Sequence, residues 1–491
     1  MPNIQELPLA RRPIVDENLA MYKPIALGKM TVKCPNCDAL HWMDERLKGS
    51  SKRNPKFGTC CLSGKVSIPT MVEPPVELKR LFNAASEKCA SAADQDKSKH
   101  FLANITRFNA AFALASLGVK THHILGRGLQ QFTIQGALYH RLNAVRPEDE
   151  VNSEHVRKYA EIYLLSDAAA MNQRIQNNSI GGGLQNDVLQ IIQDVMHCRN
   201  HYVTLYKSAV ERVRENPVGR CYARFDHRPT KDQHRYNLPT NAEVAVVLHD
   251  SDSLSAPQDI MIQCRNTNQM TRIFDTHPAY QPLTYVLLFP FGEHGWHPNI
   301  PLTNRDTGRA EALNQHDNDN DSDNDGEERE GRGRQGRVTP MEYYAYRLHR
   351  QEDESDHLFR AKRLFQQYLV DGWALTEQSR LRWVQNNQAT LRSDVYRGLA
   401  DAVAANANVN PDSIGQHFIL PSSFKGGWRN MHQLYQDSMA NGRPDFFLTI
   451  TCNPTWEEIV QEAKAMGSDY DSSDRPDFGQ PSLPCQGKFI L

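Results

Sequence analysis

The chain has 491 residues, 39% of them hydrophobic, and a formal net charge of -2 at pH 7. At about 150 residues per domain, this length predicts about three domains and excludes a single small module. The near-neutral total excludes a uniformly basic nucleic-acid-binding chain. The apolar run Tyr285–Phe291 is far shorter than the roughly 20 residues of a membrane span. We find no secretory signal at the N-terminus, and so expect an intracellular, reducing compartment.

The first predicted module, residues 1–75, contains a cluster of cysteines. Cys34 and Cys37 form a C-x2-C pair, His41 follows, and Cys60 and Cys61 are adjacent. A C-x2-C turn offers two thiolates to one ion, and a second pair of ligands completes tetrahedral zinc. Since adjacent cysteine side chains are expected to diverge, the most economical set is Cys34, Cys37 and Cys60 with either His41 or Cys61. The pattern predicts a zinc-finger-like module with a structural Zn²⁺; ordinary buried cysteines are the alternative.

The same module carries a strongly basic stretch. From position 46 to position 65 there are six basic residues and no acidic one: Arg46, Lys48, Lys52, Arg53, Lys56 and Lys65. Such a stretch attracts a phosphate backbone and releases its counterions. It favours DNA contact, although a solvated surface loop has the same composition.

The middle of the chain divides by periodicity into a mainly helical region, 76–240, and a small β-rich region, 241–315. Apolar spacing predicts helices from Val76 to about Ala115 and from about Asp187 onward. Short apolar runs predict strands over 244–248, 259–263, 271–274 and 285–289, with a possible hairpin turn at 265–269. Histidine pairs such as His197 and His201 are interpreted as structural, because the zinc-protease motif needs Glu where Cys198 stands.

Residues 316–337 predict a disordered linker. Eight acidic residues and one arginine lie between Asp317 and Glu330, so that the remainder of the chain carries a formal charge of +5. A segment of this composition buries too little apolar area to offset its ordering entropy. The near-neutral net charge of the chain is therefore the sum of one strongly acidic segment and a basic remainder.

The region 338–459 is predicted to be helical from Pro340 to about Ala405 and again over Trp428–Met439, with a strand at Phe446–Thr451. Between Phe359 and Arg397, basic residues exceed acidic ones by four and alternate with aromatic residues. This composition is typical of a single-strand stacking track, but equally of a helical core with arginines outside. Residues 460–491 lack periodicity and predict a disordered tail. Together these patterns predict an α+β multidomain protein.

Several segments resemble the N-terminal part of a Helitron transposon protein, in matching order. The resemblance extends from about Tyr22 to Ile459 and rests on the following segments: C34PNCDALHWMDERL47, N54PKFGTCCLSGKV66, L364FQQYLVD371, I419LPSSF424 and F447LTITCNP454. It implies a rolling-circle transposase in which a Rep nuclease of the HUH type is joined to a 5′-to-3′ DNA helicase. It also implies a nuclear location, and as partner DNA, single-stranded or at transposon ends.

The resemblance implies that Phe447–Thr451 is the first Rep motif, in which Thr449, Thr451 and Asn453 support the nuclease metal site. We expect Arg429 to contact phosphate. The sequence contains no G-x-x-x-x-G-K-[ST] phosphate loop, and thus no ATP site of that kind, and no His-x-His pair. We therefore expect a truncated transposase that binds DNA without cutting it, with no catalytic residue and no nuclease metal site. A host-adapted protein-interaction or DNA-binding module derived from a transposon is the alternative.

Overall fold

The computed structural model describes residues 30–85, 87, 90–117, 120–123, 132–135, 139–142, 158–179, 183–207, 221–225, 260–264, 271–303, 336–351, 354–387, 420–421, 424–425 and 427–440. Several expectations lie outside these ranges: the strands at 244–248 and 446–451, almost all of the acidic linker, the end of the helical stretch near Ala405, and the tail.

Helices dominate the described part of the chain. They are α1 (Val76–Asn83), α2 (Ala92–Ala103), α3 (Ile105–Phe112), α4 (Asp167–Asn177), α5 (Asn186–Arg199), α6 (Pro340–Leu348), α7 (His357–Arg360), α8 (Lys362–Asn386) and α9 (Trp428–Ala440). Residues 201–207 are also helical. The helices predicted from Val76, Asp187, Pro340 and Trp428 are confirmed.

Local signals explain where some of these helices begin. The Ser91 hydroxyl accepts a hydrogen bond from the backbone N–H of Asp94 at the start of α2. At the start of α6, Thr339 and Glu342 form a capping box in which each side chain accepts from the other's backbone N–H. These contacts satisfy donors that a helix terminus otherwise leaves without partners.

The strands are short and antiparallel. They are β1 (Val32–Lys33), β2 (Leu40–His41), β3 (Ala115–Leu117), β4 (Lys120–His123), β5 (Phe132–Gln135), β6 (Tyr139–Leu142), β7 (Cys221–Phe225), β8 (Ile260–Cys264) and β9 (Thr271–Phe274). β1 pairs with β2, β4 with β5, and β7 with β8, while β3, β6 and β9 form a three-stranded sheet in that order.

The strands predicted at 259–263 and 271–274 are confirmed as β8 and β9, but the possible hairpin between them is not. Ile262 of β8 pairs with Ala223 of β7, and Ile273 of β9 pairs with His140 of β6. Neither strand is paired with the other in the described sheets. Turn composition at 265–269 indicated a chain reversal but carried no information about more distant strand partners.

The predicted strand at 285–289 is wrong. These residues are buried, and the backbone N–H groups of Leu288 and Phe289 both donate to the Tyr285 carbonyl, at 3.0 Å each. The segment is therefore a series of tight turns inside the core. A short apolar run that is buried on all sides has the same sequence pattern whether it is extended or turned.

One continuous group of buried apolar side chains joins the cysteine region, the helices and the 279–302 segment. The buried Tyr368 ring of α8 lies edge-on to Tyr285, with 5.4 Å between ring centroids, and also contacts the ring of Tyr344. Trp296 is 1% exposed, and its indole N–H donates to the Val338 carbonyl at 3.0 Å. Helices α1 to α8 thus contribute to one core, whereas the large apolar side chains of α9 are exposed. In the described ranges, no helix combines the length and apolar character required to cross a membrane.

Gly372→Ala tests how closely α6 and α8 pack. A Cβ at this position would lie 2.7 Å from two ring atoms of Tyr344, which is 6% exposed. Since overpacking typically costs about 1–3 kcal/mol, we expect a loss of unfolding free energy in that range by urea denaturation. Gly49→Ala is the control, because a Cβ there meets nothing within 4 Å. Equal stability of the two variants would contradict this packing.

Candidate metal centre

The first half of the cysteine site is a turn between β1 and β2. The Cys34 N–H donates to the Ala39 carbonyl at 2.8 Å, and the Asp38 N–H donates to the Cys34 carbonyl at 3.0 Å. Asp38 has a φ of 58°, the left-handed conformation that turns the chain back toward β2. The turn places the Cys34 and Cys37 side chains on one side.

The second half is an unusual turn after the adjacent pair Cys60 and Cys61. Leu62, Ser63 and Gly64 have φ values of 49°, 57° and 91°. The Gly64 N–H donates to the Cys61 sulfur at 3.2 Å. Three successive left-handed residues reverse the chain tightly, so that both thiols face inward.

The four cysteine sulfurs form one cluster in which all lie within 4.8 Å of one another. The Sγ–Sγ distances from Cys61 to Cys34 and to Cys60 are both 3.8 Å. Tetrahedral zinc with Zn–S bonds of about 2.3 Å requires sulfur separations of about 3.8 Å. The expectation that adjacent cysteines diverge is therefore wrong for this pair, and the four thiols can hold a metal ion.

Burial and mutual contact perturb these thiols. Cys34, Cys60 and Cys61 are at most 1% exposed. Hydrogen bonds from Cys37, then from Cys60 and Cys61, hold the pKa of the Cys34 thiol below its ordinary value. Contacts with Cys34 and Cys37 raise the pKa of Cys60. Four thiols that compete for protons in this way are well suited to a divalent cation, which favours thiolates at every position.

His41, the alternative fourth ligand, has a different environment. Its Nδ1 lies 2.8 Å from a Glu45 carboxylate oxygen, and its ring is stacked on Phe57 with centroids 4.0 Å apart. It does not belong to the group of ligand atoms that the structure brings together. Within the described chain, the geometry therefore favours Cys61 over His41 as the fourth ligand.

The basic stretch lies in the loop between Cys37 and Cys60 and continues to Lys65, just after Cys61. Lys48, Lys52, Arg53, Lys56 and Lys65 are exposed, and Arg46 is half-buried. The Leu47 N–H donates to the Lys56 carbonyl at 2.8 Å, which closes the loop between them. Five of the six basic side chains are thus at the surface, whereas Cys34, Cys60 and Cys61 are buried.

The second basic region, 359–397, is divided between core and surface. Tyr368 is 1% exposed, whereas Trp373 is 59% exposed, with the Arg380 guanidinium 5.9 Å from its ring centroid. Arg382 makes two hydrogen bonds, at 2.7 and 2.8 Å, to the carboxylate of Asp275, which is fully buried. Tyr368 thus belongs to a helical core and not to a single-strand stacking track, and Arg382 is partly engaged by that core. Sequence reasoning did not identify Asp275, because no local pattern marks the partner of an ion pair 107 residues away.

Arg429 lies on α9 and is exposed. The predicted Rep residues Thr449, Thr451 and Asn453 lie outside the described residues. The extent of each predicted domain, and the function of each predicted site residue, stay predictions.

Comparison with curated proteins and with solved structures found no match. Residues 343–480 match the family model described as the Helitron helicase-like domain at the N-terminus. The matched segment begins within α6 and includes α7, α8 and α9. The predicted resemblance is confirmed for this segment, whereas the cysteine region precedes it. Residues 343–480 are thus similar to the Helitron helicase-like N-terminal domain.

Proposed function

We propose that this chain is part of a Helitron-type rolling-circle transposase and binds single-stranded DNA through a loop that zinc holds in place. The observation that carries the proposal is that the four cysteines at the two ends of a basic loop form one cluster, in a chain whose stretch 46–65 has six basic residues and no acidic one. The Helitron helicase-like domain at 343–480 supports a role in transposition.

The thiols fit zinc better than other common divalent ions. Four sulfur donors with tetrahedral spacing suit zinc, whereas calcium and magnesium require oxygen ligands. When bound, the zinc supplies a structural cross-link. Cys34 and Cys37 hold one side of the loop and Cys60 and Cys61 the other, so that the basic side chains stay at the surface.

The loop binds the phosphate backbone by charge, and its affinity therefore depends on salt. For single strands, the logarithm of the binding constant falls with log salt by about 0.7 for each phosphate contact, so six contacts give a slope of about -4. The exposed Arg429 on α9 adds a further phosphate contact in this proposal. Nicking activity is not expected from this chain, since its sequence contains no His-x-His pair. A nuclear location follows from the same proposal.

Lys52→Gln with Arg53→Gln tests the loop. The double variant removes two exposed charges without touching a cysteine. We expect weaker binding of a fluorescein-labelled single strand by anisotropy, and a salt slope about 1.4 smaller, since each contact contributes about 0.7.

The matched control is Lys79→Gln with Lys97→Gln, which removes two lysines already paired with carboxylates. Lys79 lies 2.7 Å from Glu73, and Lys97 lies 2.8 Å from Asp187. The control is expected to retain the wild-type slope. An equal loss in both double variants would show that net charge, and not this loop, determines binding.

A further inference from the structure

We propose that metal binding at the four cysteines governs the folding of α6, so that the metal centre and the first part of the Helitron helicase-like domain form one cooperative unit. The proposal rests on the metal binding proposed above and is independent of DNA binding. The observations that carry it are contacts that join the cysteine region to both ends of α6.

The first connection is at the C-terminal end of α6. The Leu40 N–H donates to the Arg350 carbonyl at 2.9 Å, and Ala39 forms an antiparallel β-bridge with Gln351. The segment after α6 thus extends the small β1–β2 hairpin beside Cys34 and Cys37. The rings of His41 and His349 lie 5.2 Å apart at the same junction.

The second connection reaches the N-terminal end of α6 through an intermediate segment. The Thr303 N–H donates to the Lys65 carbonyl at 2.7 Å, four residues after Cys61. The segment that ends at Thr303 pairs with the residues before α6: Leu302 N–H donates to the Gly336 carbonyl at 2.7 Å, and Val338 N–H to the Ile300 carbonyl at 2.8 Å. Gly336 and Arg337 are the residues of the predicted linker that the structure describes.

A buried ion pair provides the third connection. Arg347 of α6 donates to the Glu354 carboxylate at 2.9 Å, and their side chains are 4% and 6% exposed. The same Glu354 oxygen accepts a hydrogen bond from the Met71 N–H, at the end of the cysteine region. Displacement of Met71 would therefore remove one of the partners that hold this buried carboxylate.

The turns that carry the cysteines need an external constraint. Leu62 and Ser63 have left-handed backbone conformations, which residues of these types adopt rarely and at an energetic cost that their surroundings must offset. Asp38 has the same conformation, which aspartate tolerates better. Metal coordination imposes that geometry. Without it the turns relax, Leu40 and Lys65 lose their positions, and α6 loses contacts at both ends. A helix of nine residues has little stability without such contacts.

Hydrogen exchange of the full-length chain, read by mass spectrometry, tests the proposal. The zinc-loaded protein is compared with the same protein after removal of metal by a chelator, with zinc content measured in both. We expect exchange to accelerate at least tenfold in peptides from 340–351 as well as in those from 34–66, and both changes to reverse as zinc is added back.

Two variants separate metal binding from other effects. Cys34→Ser, incubated with zinc, is expected to exchange like the stripped protein over 340–351. Cys198→Ser, which removes an exposed cysteine outside the cluster, is expected to respond like the wild type. Acceleration restricted to 34–66 in a protein shown to lose zinc would overturn the coupling and leave the metal centre intact. A chain that never binds zinc would overturn both.

Discussion

Cys34→Ser is expected to abolish stoichiometric zinc binding and to remove most of the stability of the cysteine region. Structural zinc binds model peptides with about 10–16 kcal/mol at pH 7, comparable to the whole folding free energy of a domain, about 5–15 kcal/mol. Cys34 is fully buried, and its sulfur lies 3.8 Å from the Cys61 sulfur. A water molecule therefore cannot take the place of the missing thiolate unless the site opens. Native mass spectrometry and thermal unfolding measure the two effects.

Further substitutions establish which residue is the fourth ligand. Cys61→Ser is expected to lose zinc as Cys34→Ser does. His41→Gln is expected to keep one zinc per chain, since the cluster of close ligand atoms consists of the four cysteine sulfurs and does not include His41. Cys198→Ser is the matched control and keeps both zinc and stability. Zinc retained by Cys61→Ser but lost from His41→Gln would reverse this assignment.

Arg382→Met is expected to destabilise the protein by about 3 kcal/mol at pH 7, the lower end of the cost of breaking a buried ion pair, because Arg382 itself is one-third exposed. The substitution leaves the fully buried Asp275 without its cation. Burial already raises the pKa of Asp275 above its ordinary value, and loss of Arg382, which opposes that shift, raises it further. Urea unfolding at pH 7 measures the cost.

The pH dependence of this cost follows from the same shift. When the pKa of a carboxyl group is higher in the folded than in the unfolded state, the protein loses stability as the pH rises from the unfolded-state pKa to the folded-state pKa. The destabilisation of Arg382→Met is therefore expected to shrink as the pH is lowered from 7 toward 4. Arg363→Met, an exposed position on the same helix, should stay within about 0.5 kcal/mol of the wild type. Equal destabilisation by Arg382→Met and Arg363→Met would contradict a specific ion pair between Arg382 and Asp275.

Local patterns predicted much of the fold, whereas long-range contacts were not accessible from sequence. Helical spacing predicted α6 from Pro340 without any tertiary information, and the structure adds the Thr339–Glu342 capping box at its start. The turn at 285–289 was predicted as a strand because full burial hides the backbone period. The pairing of β9 with β6 joins segments about 130 residues apart, which no turn signal encodes.

The same holds for the candidate metal ligands: the local pair was predictable and the fourth residue was not. The C-x2-C spacing identified Cys34 and Cys37, because both lie on one turn. It could not choose between Cys61 and His41, since that choice depends on the left-handed backbone after Cys61. Likewise, composition identified the basic loop, but only the fold shows that Lys65 also anchors Thr303 and thereby the start of α6.

The hypothesis of a zinc-held basic loop is tested most directly by the affinity of the zinc-loaded and zinc-stripped chains for a labelled single-stranded DNA. Fluorescence anisotropy measures this affinity over a range of salt concentrations. We predict that the zinc-loaded chain binds with a salt slope of up to about -4, that chelation weakens binding strongly, and that added zinc restores it. Binding that is unchanged by zinc removal, or independent of salt, would contradict a zinc-held basic loop as the DNA-binding element.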